Sequence, residues 1–241
     1  MQAGPGCSRY LGLVKSWVRA ALALTIAIGG IVYSSWLLEF VLPVKLDPTT
    51  SFLSQLDELG HPYRWVFSWA DTFSGSLMVV SAVSCLLLLP RKVLTTTGWV
   101  AVAMFGGATI ADSRFPVGCV PSRAHPCPGQ PSGLFPQLHH MHAMTSTIAV
   151  VSIFVAMAAF TWAAFRYHRW PLLRTLGLAL FIVTAVTTAW MMIADNLAGD
   201  YQLGTAQRIQ VGGMSLWLVA LAVTVWRSAI RRPTEGIAPG S

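Results

Sequence analysis

Apolar residues run along this chain in six long stretches, 17–38, 65–89, 94–112, 142–165, 172–195 and 209–230, with polar links between them. Each approaches or exceeds the roughly 20 residues that a helix needs to cross the hydrocarbon core of a bilayer. Arg9, Lys15 and Arg19 lead into the first stretch as they would in a secretory signal. Its apolar core, however, outruns the roughly 7–15 residues of a signal's apolar region, so it reads as an uncleaved anchor. The pattern predicts an all-α fold, a six-helix transmembrane bundle. It divides into a tail at 1–16, one transmembrane domain at 17–230 and a second tail at 231–241. No internal repeat or low-complexity run subdivides it.

The links alternate in length. Those at 90–93 and 166–171 are tight turns, while 39–64, 113–141 and 196–208 are long. Loops beyond roughly 12 residues in compact domains tend to carry function or stay disordered. In the first long link, Phe52, Leu53, Leu56 and Leu59 share one helical face, Ser51 stands where a cap would start, and Gly60 and Pro62 would stop it. This predicts a short amphipathic helix at the membrane interface, lying across the mouth of the bundle.

Composition narrows the class. Of 241 residues, 54% are hydrophobic and 10% charged, against about a quarter charged in a soluble domain. A water-facing globule and a disordered chain are both excluded. The net charge of +7 would suggest a nucleic-acid partner in a soluble protein, but its placement assigns it to topology. Arg9, Lys15, Arg19, Arg91, Lys92, Arg166, Arg169, Arg174, Arg227, Arg231 and Arg232 fall on one side if the helices alternate. The positive-inside rule then puts both termini in the cytoplasm of a multi-pass protein. A bacterial cytoplasmic (inner) membrane is expected, with the lipid bilayer as the partner and no nucleic acid.

Polar residues collect on the opposite side. Asp71 lies six residues into the second stretch, about 9 Å below its start at a rise of roughly 1.5 Å per residue. An ionisable group at that depth is costly in hydrocarbon and is expected to face the bundle interior or water. Asp71, Ser74, Met78, Ser81 and Cys85 form one stripe at helical spacing, and Thr184, Thr188, Met191 and Asp195 form another. Small-residue packing between helices is the alternative for the Ser and Thr positions. Asp112 closes the third stretch, Asp195 the fifth, and Arg208 precedes the sixth. His139 and His142 are three apart, so both can reach one metal from one helical face, with Asp112 or Asp71 as an oxygen ligand. Zinc held that way would supply a hydroxide near neutral pH. A hydrogen-bonded interfacial histidine cluster, or a proton sensor, is the other reading of the same pair. Cys119 and Cys127 bracket a proline-rich loop on the oxidising side, which suggests a disulfide.

Four short pieces occur in order between the apolar stretches: Leu53-Ser-Gln-Leu-Asp-Glu-Leu-Gly60, Asp112-Ser-Arg-Phe-Pro116, Leu138-His-His-Met-His-Ala143 and Gly204-Thr-Ala-Gln-Arg-Ile209. In this the chain resembles the bacterial membrane family termed domain of unknown function nine-nine-eight, over most of its length. The resemblance implies site positions at Ser54, Asp112, one of His139 and His142, and Arg208. Aligned instead on Leu59-Gly60, Asp57 stands at the family's serine. The family supplies no reaction. A more distant similarity, to seven-helix hydrolases of the ceramidase and progestin-receptor type, rests on Ser, Asp and His at helix ends.

Three functions follow. One is a membrane protein with an extracytoplasmic polar pocket for a small ligand or lipid headgroup, using Asp71, Asp112, Asp195 and Arg208, with Ser54, His139 and His142 nearby. Another is a metal-dependent hydrolase of a lipid amide or ester, with His139, His142 and Asp112 on zinc. The last is a structural or accessory subunit of an envelope complex, its polar residues pairing helices.

Overall fold

The computed structural model describes residues 5–116, 141–197, 199 and 201–230, with the backbone alone for residues 5–15. Among the described residues six α-helices carry the fold: α1 Pro5–Val32, α2 Arg64–Leu88, α3 Val93–Asp112, α4 Met141–Arg166, α5 Leu178–Ala194 and α6 Leu203–Ile230. A wide π-helical turn, Leu173–Gly177, leads directly into α5. Two short 310 segments, Ser35–Phe40 and Leu53–Asp57, lie between α1 and α2. No strand occurs among the described residues.

Among the described residues five helices are long and apolar enough to cross a membrane: α2, α3, α4, the unit Leu173–Ala194 and α6. The chain is a multi-pass membrane protein. The apolar part of α1, Ser16–Val32, is shorter than these. The stretch expected to continue to residue 38 leaves the α-helix at Val32, because the following 310 segment turns Glu39 inward, where it is buried.

The last helix starts earlier than its apolar run, at Leu203 rather than residue 209. The added turns pack on the link after α1. A Cβ on Gly204 would fall 2.6 Å from the Ser51 carbonyl oxygen and 2.7 Å from that of Pro48. Only a glycine lets the two backbones come this close. The Thr205 amide then donates to the Thr49 carbonyl at 3.2 Å. Arg208 therefore lies inside α6, not ahead of it.

Packing places α1 against α2 and α6, α3 against α2 and α4, and α5 on the outer side of α6. The α2–α3 contact is a reciprocal glycine pair. A Cβ on Gly75 would lie 2.5 Å from the Gly106 carbonyl oxygen, and one on Gly106 would lie 2.5 Å from that of Gly75. Small residues allow such close approach where lipid supplies no hydrophobic drive between helices. Below this contact an aromatic chain fills the centre. Trp99 meets Phe160 edge-on at 4.8 Å, and Phe160 meets the fully buried Trp217 at 6.1 Å. Helix α5 stands apart from this core: 11% of its apolar window is buried, against 61% for α6. Most of its circumference is left to lipid.

Candidate functional site

The end of the bundle that holds the α1–α2 link contains a cavity of about 130 Å³. Four helices, α2, α3, α4 and α6, contribute to its wall together with both 310 segments and Tyr33 just beyond α1, whereas α5 does not. Its polar lining includes Tyr33, Ser35, Ser54, Asp57, Asp71, Thr109, Asp112, His142, Ser146, Gln207 and Gln210. A space of this size is below the roughly 300 Å³ at which drug-sized pockets begin. It has room for a group of a few heavy atoms.

Asp71 reaches the cavity from the second turn of α2, with Ser74, Met78, Ser81 and Cys85 buried behind it along the same stripe. The stripe therefore faces the bundle interior. Ser74 donates to the Gly29 carbonyl at 2.8 Å, which fastens α2 to α1. Asp71 itself has no hydrogen-bond or ion-pair partner among the described residues. Its charged neighbours are two further carboxylates, Asp112 and Asp57.

Asp112 occupies the last turn of α3 and binds the start of α4. It accepts from the hydroxyls of Thr145 and, at 2.9 Å, Ser146. His142 Nδ1 lies 3.2 Å from the same carboxylate oxygen and 3.0 Å from the Phe115 carbonyl. Since a carbonyl can only accept, Nδ1 carries the hydrogen, and Nε2 sits 3.5 Å from the Ser146 hydroxyl. The end of α3 is also tied to α2: Ser68 donates to the Ser113 carbonyl at 2.9 Å, and the Thr72 and Ser113 hydroxyls are 2.8 Å apart.

The cavity's outer wall is the link between α1 and α2. Its expected amphipathic helix is a single 310 turn, Leu53–Asp57, entered through Phe52 with no side-chain cap. Leu59, expected on the buried face, is exposed. The reason lies in α6. The Gln207 side chain accepts the Leu53 amide at 2.6 Å, and the Ser51 carbonyl accepts from Arg208 at 2.8 Å. These bonds take the groups that would have begun an α-helix. Further back, the Asp47 carboxylate accepts from both the amide and hydroxyl of Thr49, which holds it below the usual carboxylate range. Leu56, Phe67 and Val44 form a small apolar cluster under this wall.

Asp57 closes the 310 turn. Arg64 Nε donates to its carbonyl at 3.1 Å and lies 3.3 Å from its carboxylate. Burial outweighs that attraction and pushes the Asp57 carboxyl up to about 6; Asp112 acts in the same direction as burial.

Arg208 does not line the cavity. Its Nε and Nη2 donate to the two oxygens of Glu39 at 2.7 and 2.5 Å, and Nη1 also reaches the Gly204 carbonyl at 3.0 Å. Both partners are buried. This two-pronged geometry is the strong form of a carboxylate–guanidinium contact. The cation expected to serve a ligand is thus matched inside the protein.

The structure brings together Asp71, Asp112, His142 and Ser54 around one cavity. It places Asp195 elsewhere: the residue follows the last turn of α5 and is exposed. The Thr184–Asp195 stripe turns inward only at its beginning, where Thr184 is buried and Thr188 accepts from Gln210 at 2.5 Å. His139, Cys119 and Cys127 lie outside the described residues. Among the described residues no three His, Cys, Asp or Glu side chains converge as a metal site would require. Glu39, Gln207 and Gln210 were not among the sequence candidates, and Asp57 entered only as the residue at the family's serine under the second alignment. Gln207 and Gln210, three apart at the start of the last helix, were the available signal for that end of the cavity.

Residues 26–224 match the family described as protein of unknown function (DUF998). No curated protein and no solved structure gives a significant match.

Proposed function

We propose, from the premise that the chain belongs to the DUF998 family, that it is a membrane receptor or carrier for a small cationic group. In this reading all six helices span the inner membrane of a bacterium as one domain, 17–230, with both termini cytoplasmic. The cavity then opens towards the extracytoplasmic side. The distribution of basic residues supports that orientation.

The observation that carries the ligand class is the unpaired Asp71 carboxylate inside a walled cavity. Burying a charge without a partner is expensive, and an intramembrane carboxylate marks a functional site by default. Its neighbours Asp57 and Asp112 add negative character, while the guanidinium of Arg64 is held by Asp57 and that of Arg208 by Glu39. A primary or methylated ammonium, free or as the head of an amine lipid, fits both the charge and the volume.

The test is titration of detergent-purified protein with methylammonium, ethanolamine and choline, beside acetate as the anionic control. Saturable binding of an ammonium that weakens at least tenfold in Asp71→Asn is expected. Bilayer discs with phosphatidylethanolamine, compared with discs lacking it, separate a lipid head from a free amine. Binding of acetate with none of any ammonium would overturn the reading.

A structural role has one observation in its favour, the buried Glu39–Arg208 pair, which ties the first link to the last helix. It accounts for Arg208 and leaves Asp71 unexplained. The zinc hydrolase reading depends on His139. On the described side, Nδ1 of His142 is turned to the Phe115 carbonyl, and Asp112 accepts from two hydroxyls.

A further inference from the structure

At the opposite end of the molecule, α4 and α5 diverge and leave an apolar groove of about 330 Å³. Its walls are Ala158, Trp162 and Phe165 from α4 and Leu178 and Phe181 from α5, with Thr161 beneath them. The Thr161 hydroxyl is buried without a hydrogen-bond partner. In helices such hydroxyls usually bond to the carbonyl one turn back, as Thr145, Thr147 and Thr224 do here.

Both walls end in a cation. Arg166 follows Trp162 by four residues on α4, and Arg174 precedes Leu178 by four in the π-helical turn. Side chains four apart stand on one helical face, so each guanidinium extends the wall on its side of the groove. Neither has a hydrogen-bond or ion-pair partner through its side chain among the described residues. Arg169 and Arg227 also lack a side-chain partner among the described residues but do not flank the groove, and three other cations at this end are engaged. Arg19 bonds to the Ser228 carbonyl, Arg91 to that of Leu86, and Lys92 lies 4.2 Å over the Tyr167 ring. π-Helical turns are rare and concentrate at functional positions. This one holds Leu173 buried while Arg174 stays half-exposed.

We infer that this groove is a binding site for an anionic diacyl phospholipid of the adjoining leaflet. One acyl chain lies between α4 and α5, and the phosphate sits between Arg166 and Arg174. A rise of roughly 1.5 Å per residue puts Thr161 about 7 Å inward of Arg166, the level of the ester carbonyls when the phosphate is at the guanidinium. A turn about its side-chain bond lets the Thr161 hydroxyl donate to such a carbonyl. Basic pockets between membrane helices hold anionic head groups by the same combination. The site is independent of the Asp71 cavity, which lies at the other end of the bundle and involves no part of α5.

The experiment is native mass spectrometry of the full chain released from mixed bilayers of phosphatidylglycerol and phosphatidylcholine. Wild type should retain one phosphatidylglycerol in preference to phosphatidylcholine. Arg166→Gln/Arg174→Gln should lose that preference about tenfold, and Arg166→Lys/Arg174→Lys should keep most of it. Ala158→Phe, which fills the groove, should lose bound lipid of both kinds. Arg227→Gln removes a cation from the same membrane face outside the groove and should change nothing. Equal retention of the two lipids by wild type would overturn the site, as would equal loss in Arg227→Gln. A correctly folded glutamine double variant that retains the preference would do so too.

Discussion

Arg208 and Glu39 meet in a buried two-pronged ion pair although 169 positions separate them. The pair joins the 310 segment after α1 to the second turn of α6. It also decides the chemistry next door. Because each charge cancels the other, Arg208 does not answer Asp71 or Asp112, and the guanidinium of Arg64 is taken by Asp57.

Truncating one partner strands the other. Arg208→Ala should lower stability by about 3–5 kcal/mol, the usual cost of leaving a buried charge uncompensated. Replacing both, as Glu39→Leu/Arg208→Met, should recover most of that loss, since well-packed apolar groups often substitute for a buried pair at little cost. Thermal unfolding in detergent checks both. A single variant as stable as wild type would mean that the pair contributes nothing.

Asp71→Asn should raise the melting temperature in the absence of any amine. The amide cannot ionise, so it removes the cost of an unpartnered carboxyl enclosed beside Asp112 and Asp57. Coupled with lost ammonium binding, this is the pattern of a residue kept for function at the expense of stability. A lower melting temperature would instead mark Asp71 as a structural residue.

Asp57 gives a pH dependence with a definite sign. Its carboxyl titrates at about 6 in the folded protein and near 3.8 in the free chain. Between those values the native state holds a proton that the unfolded state has released, so stability should fall as pH rises through the window and level off above it. Ammonium affinity should move the other way and tighten as Asp57 ionises. Melting curves from pH 4 to 8 on wild type and Asp57→Asn read the effect as a difference in slope. Arg64, Asp112 and His142 are nearby in both proteins, and identical slopes would remove Asp57 as the cause.

The glycine contact should tolerate no side chain. Gly75→Val would push Cγ atoms into the backbone of α3, where even a Cβ is 2.5 Å from the Gly106 oxygen. Gly107, on the same helix as Gly106, has open space at its Cβ. Gly107→Ala should therefore leave folding yield unchanged while Gly75→Val abolishes it. Monodisperse yield on size-exclusion chromatography is the readout.

Much of this was legible in the chain because helical spacing and membrane thickness are strong constraints. The stripe from Asp71 to Cys85 follows from intervals of three and four, and it faces inward as expected. Asp112 and His142 stand at helix ends, so their meeting needs only that α3 and α4 be neighbours. Arg208 was visible as a polar residue at the head of an apolar run. Its partner was not, because no local pattern links Glu39 to a residue in the last helix. The same distance explains the missed 310 turn: Gln207 and Arg208 take up the backbone groups of Leu53 and Ser51, which periodicity in 51–60 could not foresee. Asp195 misled for another reason. Its stripe has the right spacing, but α5 is peripheral, so sharing a face with buried Thr184 does not bring its last turn inward.

The bonds that close the cavity's outer wall have a consequence for the order of assembly. Gln207 reaches Leu53 across 154 positions and Arg208 reaches Glu39 across 169. During synthesis the first link emerges long before α6 exists. Until then, Glu39 has no cation and the wall has no anchor. The chamber around Asp71 is therefore among the last parts of the molecule to be completed, and a chain that stops short of α6 has its other walls but cannot shut it.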